Sequence, residues 1–180
     1  MADANALGTT PSPERDKWLD TWLDTRRLGP PLHVQKFPER IYALLVPISW
    51  TPEPTQHQLP AVTVPKGFVT DFASVPRVFW SLLPPDGIYT YAAVIHDYMY
   101  WQQSTSRETA DEVFKVAMLE LRVQQSTVDA IYSAVRTFGS IAWNNNVKAR
   151  AKGEQRILAK LPADPTITWE EWSRQSDVWK

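Results

Sequence analysis

His96 and Asp97 stand side by side in an apolar stretch, AAVIHDYMYW, and Tyr100 follows four residues after His96. A second carboxylate, Asp111, lies further on, in ETADEVFKVAM. An unpaired polar or charged group aimed at a core is costly. These side chains are therefore expected to partner one another. Such a cluster is either a structural knot that fixes helix register or a hydrolytic site. Residues four apart stack on one side of a helix. His96 and Tyr100 thus align, with Asp97 displaced by about 100° around the axis. If Asp111 returns on a neighbouring helix, it can hold one ring nitrogen of His96. The other nitrogen would then face a cleft and take a proton from water. Asp97 could hold a hard cation whose other ligands are carbonyls or waters. That cation would stabilise an oxyanion in ester or amide hydrolysis.

The elements that must position these groups follow from patterning. Ala92, Ile95, His96 and Met99 share a face of a helix expected over about Tyr89 to Gln102. Thr105 with Glu108 reads as a capping box for a second helix running to about Arg122. Its apolar face holds Ala110, Phe114, Ala117, Met118 and Leu121, with Asp111 at the edge. The short connection makes these two helices antiparallel neighbours. A third helix starts near Ser126 or Thr127, with Ile131, Val135, Phe138 and Ala142 on one side. Gly139 inside it suggests close packing or a kink.

Upstream, IYALLVPISW (41–50) is strand-like, with Pro47 indicating an edge or bulge. Pro60 to Val64, the Pro65-Lys66-Gly67 turn and Phe68-Val69 add further short strands. Pro84-Pro85-Asp86-Gly87 is a turn. Ser12-Pro13-Glu14 opens a short N-terminal helix bearing Trp18, Leu19, Trp22 and Leu23. Val147 to Lys160 is a basic segment, and Thr168 with Glu171 caps a last short helix bearing Trp169, Trp172 and Trp179. The fold class is α+β: about three main helices with a small antiparallel β-ribbon. Residues 1–11 are expected to be disordered or partner-dependent, 12–160 to form a single domain, and 161–180 a Trp-rich tail.

Composition bounds the function. The chain has 180 residues, with 19 basic and 20 acidic side chains. That balance argues against a bulk electrostatic nucleic-acid binder. With no cysteine there is no disulfide, thiolate site or cysteine nucleophile. No apolar run is long enough to span a membrane, and the N-terminus lacks the basic and apolar regions of a signal peptide. Synthesis in a bacterial cytoplasm fits, and an extracellular role would need release by lysis or assembly into a particle. The 9 Trp and 15 Pro point to a Trp-rich core in a loop-rich domain, with a dedicated aromatic binding surface as the alternative. The tail tryptophans lie beyond the core helices, so they need a cover or act as a docking peptide.

His96-Asp97-x-x-Tyr100 followed by Ala110-Asp111-x-x-Phe114 resembles the calcium-dependent phospholipases A2, and most of all the cysteine-free version in parvovirus capsid proteins. The resemblance implies His96 as base, Asp97 as calcium ligand, Asp111 as the orienter of His96, and Tyr100 as a hydrogen-bond partner of Asp111. The glycine-rich calcium loop of those enzymes has no match upstream, where PPDG (84–87) and DFAS (71–74) stand instead. A longer pattern runs through VPKGFVTDFASVPR, AAVIHDYMY, AD, F and YSAVRTFG. It resembles a family of unknown function common in tailed phages and prophages. That likeness places Asp71, Ser74, Pro76, Arg77, His96, Asp97, Tyr100, Asp111, Arg136 and Gly139 within the family's pattern.

The remaining candidates have plainer readings beside the functional ones. Asp71 is an Asx turn or a third acidic ligand. Ser74 lacks the Gly-x-Ser-x-Gly elbow of a nucleophile. Arg77 and Arg136 bind a phosphate or carboxylate, or pair with Asp71, Asp86 or Asp111. His33 and His57 lie in polar loops and are solvated. Two functions of different class follow. One is a His/Asp hydrolase of an ester or amide bond in the host envelope, with lipid the specific case. The other is a non-catalytic accessory component of a phage tail or virion, contacting other virion proteins through its N-terminus and Trp-rich C-terminus.

Overall fold

A computed structural model describes residues 31–72 and 88–180. Five short strands come first: β1 (Val34–Lys36), β2 (Tyr42–Leu44), β3 (Ile48–Trp50), β4 (Val62–Val64) and β5 (Val69–Thr70). Helices α1 (Thr90–Gln102), α2 (Arg107–Glu120), α3 (Gln125–Ala151) and α4 (Trp169–Ser173) follow. The α+β mix is as the patterning implies. The N-terminal helix expected after Ser12, the Val78–Leu83 stretch and the PPDG turn lie outside the described residues.

The strands form two small antiparallel sheets, β1-β2-β5 and β3-β4. The run 41–50 is therefore not one strand. Pro47 offers no N–H to a ladder, and the chain changes sheets around it. In β4, Val62 and Val64 point inward and Thr63 outward, the period-two pattern of a half-buried strand. The turn after β4 brings Gly67 to φ +87°, where a Cβ would collide with the carbonyl of Leu158.

α1 is buried almost all round, including Ala92, Val94, Ile95, Met99 and Trp101. It packs against α2 and α3 and also against β4 and β3. A helix with neighbours on several sides loses its polar stripe. It ends at Gln103, in the left-handed region at φ +53°. Two side chains and one backbone carbonyl of α3 meet that end. Asn146 donates to the carbonyl of Tyr100 and Arg150 to those of Trp101 and Gln102, while the Gln103 amide reaches the carbonyl of Trp143. The last carbonyls of a helix have no partner within it, so α3 supplies them.

Three expectations are corrected. The N-cap of α2 is Ser106, not Thr105: its hydroxyl accepts from the backbone N–H of Thr109. α3 continues to Ala151, into the basic stretch, without a break at Gly139. Its buried face also differs beyond Val135. Phe138 is 50% exposed and Ala142 is exposed, because the inward side runs through Val135, Gly139 and Asn146. Gly139 is the close-packing case: a Cβ there would meet the Tyr100 hydroxyl.

The C-terminal stretch folds back. Phe68 bridges Ile157, and Leu158 bridges Trp179. Thr168 and Glu171 form the expected capping box of α4. Trp169 packs edge-on against Phe37 at 5.2 Å and against Trp179 at 5.8 Å. A second small core of Phe37, Ala43, Val69, Leu158 and Val178 lies beneath them. The tail tryptophans Trp169, Trp172 and Trp179 are thus partly covered by this protein's own residues. No helix among the described residues is long and apolar enough to cross a membrane.

Gly67→Ala is expected to cost at least about 2 kcal/mol, from the left-handed backbone and the collision with Leu158. Urea unfolding of wild type and variant measures it, and an unchanged midpoint would contradict the packing described.

Candidate functional site

The site is built where α1, α2 and α3 meet. Asp111 sits on α2 with no exposed surface. Its Oδ1 lies 3.0 Å from His96 Nε2 and accepts from the Tyr100 hydroxyl at 2.5 Å. Its Oδ2 accepts from Arg107 Nη1 at 3.0 Å and Arg136 Nη1 at 2.8 Å. A carboxylate has about four acceptor sites, and all four are used. Arg107 also donates to the carbonyls of Val135 and Arg136, which ties it to α3. Arg136 continues outward to Glu108.

The His96 ring is stacked on Phe114, with centroids 4.5 Å apart, and tilted against Tyr100 at 4.1 Å. It is 2% exposed. Its Nδ1 is enclosed and has no hydrogen-bond partner among the described residues. The expectation that this nitrogen faces a cleft therefore differs from what is found: it faces packed protein.

Burial pushes the His96 imidazole below its ordinary value of 6.5, outweighing the hydrogen bond and charge of Asp111 that pull the other way. His96 is neutral at pH 7. For Asp111, burial pushes upward, but hydrogen bonds from His96, Tyr100 and Arg136 win and hold it below 3.8. Since His96 is neutral, Arg107 and Arg136 carry the balancing positive charge. Tyr100 is held well above its usual range by burial and by its bond to Asp111, so it stays a donor. A neutral His96 donating from Nε2 to an ionised Asp111 carries its lone pair on Nδ1.

Asp97 leaves α1 on another side. Its Oδ2 accepts from the Thr70 hydroxyl at 2.5 Å, and that hydroxyl accepts from the Phe72 N–H at 3.1 Å. Asp71 is exposed and lines a cavity of about 190 Å³ with Thr70, Glu154, Arg156 and Trp169. The described residues hold no group of three His, Cys, Asp or Glu side chains fit for a metal ion. Asp97 and Asp71 thus gather no ligand set there. Ser74, Arg77 and Asp86 lie outside the described residues. His33 and His57 are exposed.

His96, Tyr100 and Asp111 are neighbours as the spacing implies, and of the partners open to Arg136 the structure shows Asp111. The sequence reading missed Arg107 and Thr70. Arg107 had a signal, its spacing of four residues before Asp111 on one helix. Thr70 had none, since it reaches Asp97 from a strand.

Residues 51–135 match the pattern of a family described as "Protein of unknown function (DUF1353)". The matched segment spans β4, β5, α1, α2 and the start of α3, and stops one residue short of Arg136. An "Uncharacterized protein y4jT" of Sinorhizobium fredii is similar over 78 residues at 37% identity. That covers 42% of this chain and 23% of the relative. No solved structure matches.

Removing the buried acceptor would strand two guanidinium groups. Asp111→Ala is expected to cost about 3–5 kcal/mol, read by chemical denaturation at pH 7. The pH dependence has a definite sign. A neutral buried His96 with a depressed folded value contributes stability that is full above 6.5 and declines as pH falls from there toward the folded value. The denaturation midpoint should therefore drop between neutral pH and about pH 5, and His96→Gln should flatten that stretch of the curve. A wild-type profile already flat there would contradict a neutral buried His96.

Proposed function

We propose that this protein is a phage- or prophage-borne hydrolase in which His96 acts as general base on an acyl ester or amide of the host envelope. The observation that carries the reading is the unused Nδ1. A buried polar atom without a partner costs about 1–3 kcal/mol. Most buried polar side-chain atoms of a structural residue are hydrogen-bonded. Here Nε2 is anchored to Asp111 while the Nδ1 lone pair is held in reserve. The likeness of the helix pair to phospholipases A2 points the same way and suggests a lipid ester as substrate.

In this reading Nδ1 accepts a proton from a water molecule, and the hydroxide attacks the carbonyl carbon. The carbonyl pair moves to oxygen and then returns to expel the leaving group, which takes the proton back from the imidazolium. Asp111 stabilises the transient imidazolium, and Tyr100 fixes the carboxylate. Water and substrate must reach Nδ1, so the reading requires the wall over it to open. The resemblance implies calcium, but the residues described around Asp97 do not fit it. Asp97 is engaged by Thr70, and among the described residues no third acidic ligand joins it. No step is routed through a cation.

A second reading has its own observation. Asp111 is wholly enclosed and fully bonded, as a polar knot in a non-catalytic virion component would be. The two separate on one experiment. Purified protein is assayed on phospholipid vesicles and on peptidoglycan, with calcium and with chelator, alongside His96→Ala. The hydrolase reading expects turnover that falls by about 10²–10⁴ in the variant while its circular dichroism stays native. No turnover from wild type, with a variant that merely loses stability, leaves the structural reading standing.

A further inference from the structure

The four donors on Asp111 are not equivalent in what they accomplish. His96 and Tyr100 share Oδ1, whereas Oδ2 is filled by two guanidinium groups from different helices. Arg107 is only 17% exposed and Arg136 32%. Rotating the carboxylate would break all four bonds at once, so the oxygen facing His96 is fixed. Without the arginines, a carboxyl group of zero exposure beside a neutral imidazole and a phenol would have no balancing charge. A buried carboxyl in that position takes up a proton.

Protonation would invert the hydrogen bond to His96. An ionised carboxylate only accepts, so it selects the Nε2–H tautomer of the ring. A protonated carboxyl can donate to Nε2, which moves the ring proton to Nδ1. The lone pair would then be spent on Asp111, and the enclosed Nδ1 would carry a hydrogen.

We propose that Arg107 and Arg136 are positioning residues that lock Asp111 as a pure acceptor and thereby hold His96 in the Nε2–H tautomer, with Nδ1 as the basic atom. The groups facing this carboxylate are His96 and Tyr100 from α1, Arg107 from α2, and Arg136 from α3. Gly139 keeps α3 close enough for the contact, since a Cβ there would collide with the Tyr100 hydroxyl. The two arginines thus act through Asp111 and touch no reacting atom. This deepens the general-base reading of His96 and rests on it for its chemical meaning, but its test does not depend on turnover.

The test is nitrogen NMR of His96 in the intact, isotope-labelled protein at neutral pH. Wild type is expected to show a pyrrole-type Nε2 and a pyridine-type Nδ1. Arg136→Gln and Arg107→Gln should each populate the inverted pattern, and Arg136→Lys, which keeps the charge, should restore the wild-type one. Native tautomer signals in both glutamine variants, with amide spectra still folded, would overturn the proposal while leaving the general-base reading intact. An inverted tautomer in wild type would overturn both. Asp111→Asn is the second arm should a glutamine variant fail to fold. Its amide oxygen suits the arginines and its NH2 then faces His96, so Nδ1–H is expected, and an unchanged tautomer sinks the proposal.

Discussion

One ionised carboxylate in the interior sets the terms for the helical half of this protein. Asp111 has no exposed surface, and water cannot share its charge. Every helix of the main cluster therefore contributes to it: α1 through His96 and Tyr100, α2 through Arg107, α3 through Arg136. Arg107 is itself steadied by two carbonyls of α3. A buried ion pair is weak evidence for net stability, since desolvation offsets much of its attraction. Its clearer effect is on uniqueness. Sliding any of the three helices by one turn would leave a buried charge without its partners, so the register of the cluster is narrowly specified.

The His96-Asp97 pair also links the two halves of the fold. Adjacent residues on a helix point about 100° apart. His96 turns toward the helices, while Asp97 turns toward β5 and holds Thr70. Thr70 in turn steadies Phe72, which sits at φ +55° at the end of the strand and stacks on Tyr42. A displacement of α1 is thereby felt on both sides, by the Asp111 network and by the β1-β2-β5 sheet.

Much of this was legible in the sequence because the signals were local. Period-four spacing aligned His96 with Tyr100, and a short connection made α1 and α2 neighbours. The capping box at Thr168 and Glu171 was a local pattern and appears as read. The errors came where tertiary contacts outweighed local pattern. Thr105 and Ser106 both suit an N-cap, and spacing alone favoured the wrong one. Phe138 looked like a core residue by type, yet α3 turns Gly139 inward because only a residue without a side chain can lie on the Tyr100 hydroxyl. The contacts of Thr70, and the packing of the C-terminal tryptophans on Phe37, join segments far apart in the chain and left no local trace.

That last feature has a thermodynamic consequence. The Trp169 N–H bonds Glu39 across 130 residues, and Gln35 bonds the Pro162 carbonyl across 127. The Asp111 network closes spans of 4 to 25 residues. In a flexible chain, closing the longer span costs roughly 2 kcal/mol more in configurational entropy than closing one of about 15 residues. The helices formed in between shorten that effective loop, so the figure is an upper bound. Among the described residues, the clasp between the C-terminal stretch and the first strand is thus the joint with the largest loop-closure cost. Large aromatic side chains, each burying a broad apolar area, are what the sequence sets against that cost.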